Sequence, residues 1–284
     1  MIAPAHHLYT LFKHAVLGFI KNGDALIAGH LAFIGLLTLF PFLIFLVALA
    51  GFAGNTEAGT MVVAYILENM PEDVAIVFEG PLIEVLQEVR GGFLTLGVAG
   101  ALWTASSALE GARAGVERAF GQSMIIPFWR RRLESLALVV VGAALILVVS
   151  TALLFAPILW ADTARSLGYD GLTILDFGST RAVISIGSIF LVLSALYAML
   201  PARRPRWLAV LPGAVLTLLL WAGAALAFSL YLGHFNNYDV TYGSLGGIVI
   251  AMLFFYLLGA IFLFGAEFNA AIHHGAIQEE QASS

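Results

Sequence analysis

Cysteine is absent from this 284-residue chain, and positive charge is scarce. Without thiols, the chain has no disulfide framework, no thiolate metal site and no cysteine nucleophile. The only lysines are Lys13 and Lys21 and the formal net charge is −5, so we expect no nucleic-acid partner. P-loop, His-Glu-x-x-His and Gly-x-Ser-x-Gly motifs are also missing. These absences predict a protein that is not an enzyme and holds no cofactor or metal.

Apolar residues dominate what is present. The chain is 61% hydrophobic and only 11% charged, with a mean hydropathy of +0.95, so lipid is the expected solvent for most of its surface. A bilayer core of about 30 Å takes about 20 apolar residues in helical conformation. The pattern predicts an all-α, polytopic bundle with six spans within residues 30–272, at 30–53, 93–109, 136–160, 182–200, 207–232 and 244–268.

The cations fall on alternate loops between these spans. Ten of the thirteen lie before the first span, between the second and third, or between the fourth and fifth. Because cytoplasmic loops retain Lys and Arg, the bias places both termini in the cytoplasm. We therefore expect a multi-pass membrane protein.

Three segments outside the spans have distinct compositions. Residues 1–29 predict a cytoplasmic or interfacial helix, with an extension of the first span as the alternative. Residues 54–92 hold seven acids against one arginine and predict an extracytoplasmic insertion of short amphipathic helices. Residues 273–284 predict a flexible cytoplasmic tail. The apolar stripe of the first segment consists of Leu8, Phe12, Val16, Phe19 and Ile20.

Four polar residues near the inner ends of the second and sixth spans form the first candidate site: Glu110, Arg113, Glu267 and Asn269. Both spans run inward, so the two carboxylates are expected in one layer. Arg113 follows Glu110 by three residues, which permits an ion pair on one helical face. Charged groups in membrane helices raise a functional question. The group is either a gate or head-group contact on a substrate path, or a structural pin between helix ends.

A stripe of small and hydroxyl residues on the second span is the second candidate site. Gly100, Thr104 and Ser107 recur at three- and four-residue steps. Such a stripe either lines a polar path or allows close helix packing. A kink is expected in the first span at Pro41.

Two arginine clusters border the membrane segments. They are topology signals, contacts for anionic lipid head groups, or both. Their members are Arg130, Arg131, Arg132, Arg203, Arg204 and Arg206.

Several stretches together carry a resemblance that covers essentially the whole chain: HLAFIGLLTLFP from His30, GARAGVERAFG from Gly111, PFWRRRLESL from Pro127 and YGSLGGIVIAMLFFYLLGAIFLFGAEFNAAI from Tyr242. They resemble the YihY/virulence factor BrkB family of bacterial inner-membrane proteins, formerly mislabelled ribonuclease BN. The resemblance implies six spans and a link to envelope lipid handling. It implies no catalytic residue.

Two functional hypotheses remain from the sequence. The first is a transporter-like or lipid-handling protein of envelope biogenesis, with membrane lipids as partners. The second is a non-catalytic scaffold that binds an envelope protein through its acidic or basic loops. A nuclease is disfavoured, because no residue constellation supports one. Small-residue helix faces also permit an oligomer.

Overall fold

The computed structural model describes residues 4–52, 64, 67, 68, 93–122, 126–166, 177–234 and 246–283. Within these ranges every long regular element is a helix, which confirms the all-α prediction. The helices are α1 (Pro4–Lys21), α2 (Asp24–Phe52), α3 (Phe93–Ala119), α4 (Phe128–Ser166), α5 (Phe177–Met199), α6 (Trp207–His234) and α7 (Gly246–Ser283).

Four of these helices contain stretches long and apolar enough to cross a membrane: Phe128–Val149, Ala182–Met199, Trp207–Tyr231 and Gly247–Gly275. Helices α1 and α2 add a fifth candidate if the bent pair is one span. Helix α3 covers the predicted second span, the most polar of the six, and is not among these stretches. The polytopic helical architecture is confirmed, whereas the count of six spans stays a prediction.

The chain divides into two compact units. The first comprises Met1–Leu39, Thr104–Ser135 and Leu193–Ser284, and the second comprises Phe40–Trp103 and Leu136–Val192. The first unit holds almost all the polar residues singled out above. The described part of the second unit consists of helix segments with many exposed apolar side chains, such as Val141, Val148 and Val183.

A sharp turn separates α1 from α2. The two helices are bent by 69° around Asn22 and Gly23. Gly23 has a φ of 68°, in the left-handed region where a side chain is unfavourable, and the Asn22 amide closes α1 by donating to the Gly18 carbonyl at 2.8 Å. Helix α2 begins at Asp24, six residues before the predicted start of the first span, because the Asn-Gly turn ends α1. The predicted boundary between residues 29 and 30 stays a prediction.

Helix α1 packs along α7 through aromatic rings. Phe12 contacts Phe264 and Phe268 at centroid distances of 6.1 and 5.2 Å, and Phe19 contacts Phe264 at 6.4 Å. Val16 and Ile20, two other members of the predicted stripe, are exposed. One side of α1 is thus held by α7, and its other apolar residues are available to lipid.

Helices α5, α6 and α7 cross closely around Tyr197. Its hydroxyl accepts a hydrogen bond from Thr217 at 2.7 Å and donates one to the Phe262 carbonyl at 2.7 Å. Gly265 makes this approach possible, since a Cβ atom there would meet the Thr217 and Tyr197 oxygens. A fully buried polar contact of this kind fixes the relative position of the three helices.

Some predictions concern other parts of the chain. Most of the acidic insertion at 54–92 lies outside the described residues. Helix α2 continues through Pro41 to Phe52, and its kink stays a prediction. Helix α7 continues to Ser283, so the backbone of the predicted tail is helical and its flexibility stays a prediction.

Candidate functional site

Charged side chains join α3 to the first turns of α4. Arg113 pairs with Glu110 at 3.6 Å and with Glu134 at 3.3 Å. Arg131 pairs with Glu110 at 3.3 Å and with Glu117 at 3.4 Å. We call these five residues the ion-pair network. They come together because Glu110, Arg113 and Glu117 share one face of α3, and α4 begins beside that face.

The ion-pair network is largely removed from solvent. Arg113 is 1% exposed, and its guanidinium also donates to the Ser135 hydroxyl at 3.4 Å, while that hydroxyl donates to Glu110. Burial raises the pKa of the Glu117 carboxyl, and the neighbouring Arg131 and Arg113 partly oppose that rise. Buried charges of this kind persist only when paired, since an isolated one would carry a large desolvation cost. The geometry is that of a pin between two helices.

The arginine clusters separate into buried and exposed members. Arg131 and Arg132 are buried, the first in the ion-pair network and the second donating to Ser107 at 3.1 Å. Arg130 is 73% exposed. Burial keeps the first two from a surface ligand, so any contact with anionic lipid is confined to the exposed arginines. These are Arg130, Arg203, Arg204 and Arg206.

Asn269 serves the backbone of a neighbouring helix. Its amide oxygen accepts from the Gly213 amide at 2.8 Å, and its amide nitrogen donates to the Val210 carbonyl at 3.0 Å. Pro212 lies between these two groups and lacks an N–H, which interrupts the hydrogen-bond ladder of α6. The missing N–H frees the Leu208 carbonyl, whereas Asn269 bonds groups on either side of Pro212 and adds two hydrogen bonds to this part of α6.

A pair of acidic side chains occupies the junction of α1, α2 and α7. Asp24, the first residue of α2, is 0% exposed, and among the described residues no hydrogen-bond donor other than the Glu267 carboxyl group reaches either of its carboxyl oxygens. Its carboxyl group faces that of Glu267 within hydrogen-bonding reach. Asn22 donates its side-chain amide to Glu267 at 2.6 Å. We call Asp24 and Glu267 the carboxyl pair.

A cavity of about 490 Å³, which we call the α1–α7 cavity, is formed by α1, the end of α3 and α7, and Asp24 is not among the residues that line it. Glu267 is part of its wall. Its lining includes apolar residues, among them Leu11, Leu17 and alanines of α7. It also includes cationic or titratable groups: His14, Lys21, Arg118 and His274. The cavity therefore presents charges of both signs beside an apolar surface.

Local sequence explains how these groups converge. The Asn22–Gly23 turn places Asn22 and Asp24 next to Glu267, and Gly18 leaves room for the Glu267 carboxyl group directly against the α1 backbone. Gly121 ends α3 with a φ of 63°, and the Gln122 amide bonds back to the Glu117 carbonyl at 2.8 Å. That ending places Arg118 at the rim, where its guanidinium donates to the Asn22 carbonyl at 3.4 Å.

The four residues of the first candidate site lie in three different places. Glu110 and Arg113 form their expected pair inside the ion-pair network, Glu267 lies in the carboxyl pair, and Asn269 bonds the backbone of α6. Asp24 was missed by sequence reasoning. An acid directly after Asn-Gly at the start of an apolar run is typical of a helix N-terminus, and that pattern concealed its burial.

The stripe on α3 also divides. Gly100 is exposed and a Cβ atom there would have open space, whereas Ser107 accepts the hydrogen bond from Arg132. Thr104 is half-buried. Farther along, a Cβ on Gly111 would lie 3.2 Å from His30 and Leu31 side-chain atoms, a close approach to α2. Close packing thus accounts for the inner end of the stripe, and a path along Gly100 stays a prediction.

Comparison with known proteins places the chain in a family. A curated relative from Bacillus subtilis (strain 168), named putative ribonuclease-like protein YfkH, is 30% identical over 87% of this chain and 89% of its own length. UPF0761 membrane protein VSAL_I2938 of Aliivibrio salmonicida (strain LFI1238) is 28% identical over 86% of the chain and 77% of its own length. No solved structure matches. Residues 16–284 match the family model described as virulence factor BrkB, and the chain therefore belongs to that family of membrane proteins.

Proposed function

We propose that this protein is a lipid-handling membrane protein that binds phospholipid head groups in the α1–α7 cavity and promotes their exchange between leaflets. The observation that carries the proposal is the chemistry of that cavity. Its apolar lining residues suit the upper acyl chain, and Lys21 and Arg118 suit a phosphate. The proposal includes no catalytic step.

The position of the cavity supports access from lipid. It lies beside the bend between α1 and α2, and α1 carries exposed apolar residues next to the cavity, among them Leu17 and Ile20. Amphipathic helices with such residues lie in the interface of a bilayer. A lipid head group at that depth could enter the cavity without leaving the membrane.

Exposed aromatic and basic residues at the starts of α4 and α6 support a position of this part of the protein at the membrane interface. Trp129 and Arg130 begin α4, and Arg206 and Trp207 precede or begin α6. Tryptophan favours the membrane interface and arginine attracts anionic head groups. The proposal places this side of the protein at the cytoplasmic face of the bacterial inner membrane, with both termini in the cytoplasm.

Lipid exchange in proteoliposomes tests the function. Purified protein is reconstituted with a fluorescent phospholipid, and loss of fluorescence to a membrane-impermeant reductant measures exchange between leaflets. We expect exchange well above protein-free vesicles. The Leu17→Trp variant, which narrows the cavity, should lower the rate at least about threefold, a change of roughly 0.65 kcal/mol in barrier.

Leu26→Trp is the matched control, because Leu26 is 83% exposed and is not among the residues that line the cavity. Its rate should match the wild type. If wild-type protein exchanges lipid no faster than protein-free vesicles, the lipid-exchange proposal is overturned and the scaffold hypothesis is left. Co-purification of a stoichiometric envelope protein would support that hypothesis. Equal slowing by both tryptophan variants would remove the cavity from the proposal.

A further inference from the structure

The carboxyl pair has no role in head-group phosphate binding, and its chemistry calls for a positively charged donor. Asp24 is fully buried, and among the described residues no hydrogen-bond donor other than the facing Glu267 carboxyl group is within reach of its oxygens. Glu267 faces it, with one carboxyl oxygen already accepting from Asn22. Burying an acceptor without a donor is costly, and two facing carboxylates also repel each other.

A primary ammonium group answers both requirements. It carries one positive charge and three N–H donors, enough to bond both acids at once. The route to the pair is the α1–α7 cavity, because Glu267 is part of the cavity wall. A quaternary ammonium has the charge but no N–H donor, so it cannot satisfy buried carboxyl oxygens in the same way.

Positively charged side chains line the same cavity as Glu267. Lys21 and Arg118 line it with Glu267, and Arg118 is oriented toward the turn by its bond to the Asn22 carbonyl. A guanidinium offers five N–H donors in a fork that fits phosphate oxygens. The lining of one cavity thus includes groups suited to phosphate, an acid suited to an ammonium group, and apolar residues.

We infer that the α1–α7 cavity takes the phosphoethanolamine head group of an amine-bearing phospholipid, with the ammonium at Asp24 and Glu267 and the phosphate at Arg118 and Lys21. The inference rests on the proposed function and names its substrate class. It distinguishes phosphatidylethanolamine from phosphatidylcholine, which lacks N–H donors, and from phosphatidylglycerol, which lacks the positive charge.

Native mass spectrometry of the full chain with lipids of identical acyl chains tests the inference. Phosphatidylethanolamine should bind at least about tenfold more tightly than phosphatidylcholine, a difference equivalent to about 1.4 kcal/mol. The N-methylated series should fall in between, with the dimethyl form weaker than the monomethyl form. Equal affinities across the series overturn the inference.

Two sets of variants locate the preference. Asp24→Asn and Glu267→Gln remove one negative charge each at nearly constant volume, and both should reduce the preference to less than about twofold. Phosphatidylglycerol should bind these variants at least as tightly as the wild type, because a negative charge near the phosphate is removed. Arg118→Gln should weaken all three lipids together, because they share the phosphate. A preference that survives both acid substitutions overturns the assignment to the carboxyl pair. If either variant fails to fold, the wild-type methylation series alone decides.

Soluble competitors identify the source of the recognised group. Glycerophosphoethanolamine should displace phosphatidylethanolamine, whereas ethanolamine or inorganic phosphate alone should do so at least about tenfold less well. If Na⁺, exchanged for a bulky cation at constant ionic strength, displaces every lipid regardless of its head group, the carboxyl pair binds a small cation and the inference is overturned. Leaflet exchange without head-group preference would leave the proposed function standing, and selective binding without exchange would overturn only that function.

Discussion

Replacing Asn269 by alanine should destabilise the protein far more than replacing Gln122 by alanine. Both side chains make the same kind of contact, a pair of hydrogen bonds from one amide group to the backbone of another segment. Asn269 bonds Gly213 N and Val210 O at 2.8 and 3.0 Å, and Gln122 bonds the N and O of Arg203 at 2.9 and 3.1 Å. The two sites differ in burial, because Asn269 is 1% exposed and the Gln122 contacts are open to solvent.

Burial sets the expected magnitude. Loss of Asn269 removes two buried hydrogen bonds, at about 0.5–1.5 kcal/mol each, so the loss should be about 1–3 kcal/mol. Two average side-chain hydrogen bonds in a membrane protein would account for about 1.2 kcal/mol. At Gln122, water replaces the lost partners, and the loss should stay below about 1 kcal/mol.

Reversible unfolding in mixed detergent micelles, followed by tryptophan fluorescence, measures both free energies of unfolding on the same scale. Asn269→Ala should lower the transition midpoint clearly, and Gln122→Ala should move it only slightly. Equal losses for the two variants would refute the reasoning, because they would show that burial at the Pro212 break has no energetic consequence. A loss below about 1 kcal/mol for Asn269→Ala would refute it as well.

Three further predictions concern the ion-pair network and the helix crossings. Arg113→Leu should lower the free energy of unfolding by about 1–3 kcal/mol, because it leaves the half-buried carboxylates of Glu110 and Glu134 without this partner. Arg130→Leu, at an exposed pair, should lower it by less than about 1 kcal/mol, and similar losses for both variants in chemical unfolding would contradict the structural role of the network. Gly265→Ala should lower the free energy of unfolding by about 1–3 kcal/mol, because the new Cβ meets the Thr217 and Tyr197 oxygens. Gly187→Ala, where a Cβ has open space, should leave it unchanged or raise it by up to about 1 kcal/mol. Thermal midpoints that fall equally for both variants would contradict the close helix crossing. The pKa of Glu117 is raised above its ordinary 4.5, so between that pH and the folded pKa the folded protein keeps a proton that the unfolded chain has lost. The contribution of this group to stability should therefore fall as pH rises above 4.5 and level off above the folded pKa. Glu117→Gln should flatten that part of a plot of melting temperature against pH, and an unchanged plot would contradict the shift.

Contacts within one helix could be predicted from spacing alone. Glu110 and Arg113 are three residues apart, and the structure contains that ion pair at 3.6 Å. Helical geometry fixes such neighbours, whatever else the chain does. Contacts between helices followed no spacing rule: Arg131 and Glu134 complete the network from α4, and nothing in their sequence distance specifies Glu110 or Glu117 as partners.

The carboxyl pair illustrates the same limit at the candidate site. Asp24 and Glu267 lie far apart in the chain, and each alone is typical of a polar helix end. Their meeting depends on the Asn22–Gly23 turn and on α1 lying against α7 through Phe12 and Phe19. Glu267 therefore contacts an acid that drew no attention in the sequence, and the layer that it was predicted to share with Glu110 stays a prediction.

Composition and periodicity by themselves determined that this chain is helical and built for a membrane, because hydropathy and the hydrogen-bonding needs of the backbone in lipid act on any sequence of this kind. Short motifs were sufficient to predict its family, which the match over residues 16–284 confirms. Tertiary structure alone decided which polar groups meet: arginines paired inside the network, Asn269 at the Pro212 break, and two acids beside a cavity. The physical reason is that packing between helices depends on side-chain shape and close approach at glycines such as Gly265, which no periodic pattern along one helix records.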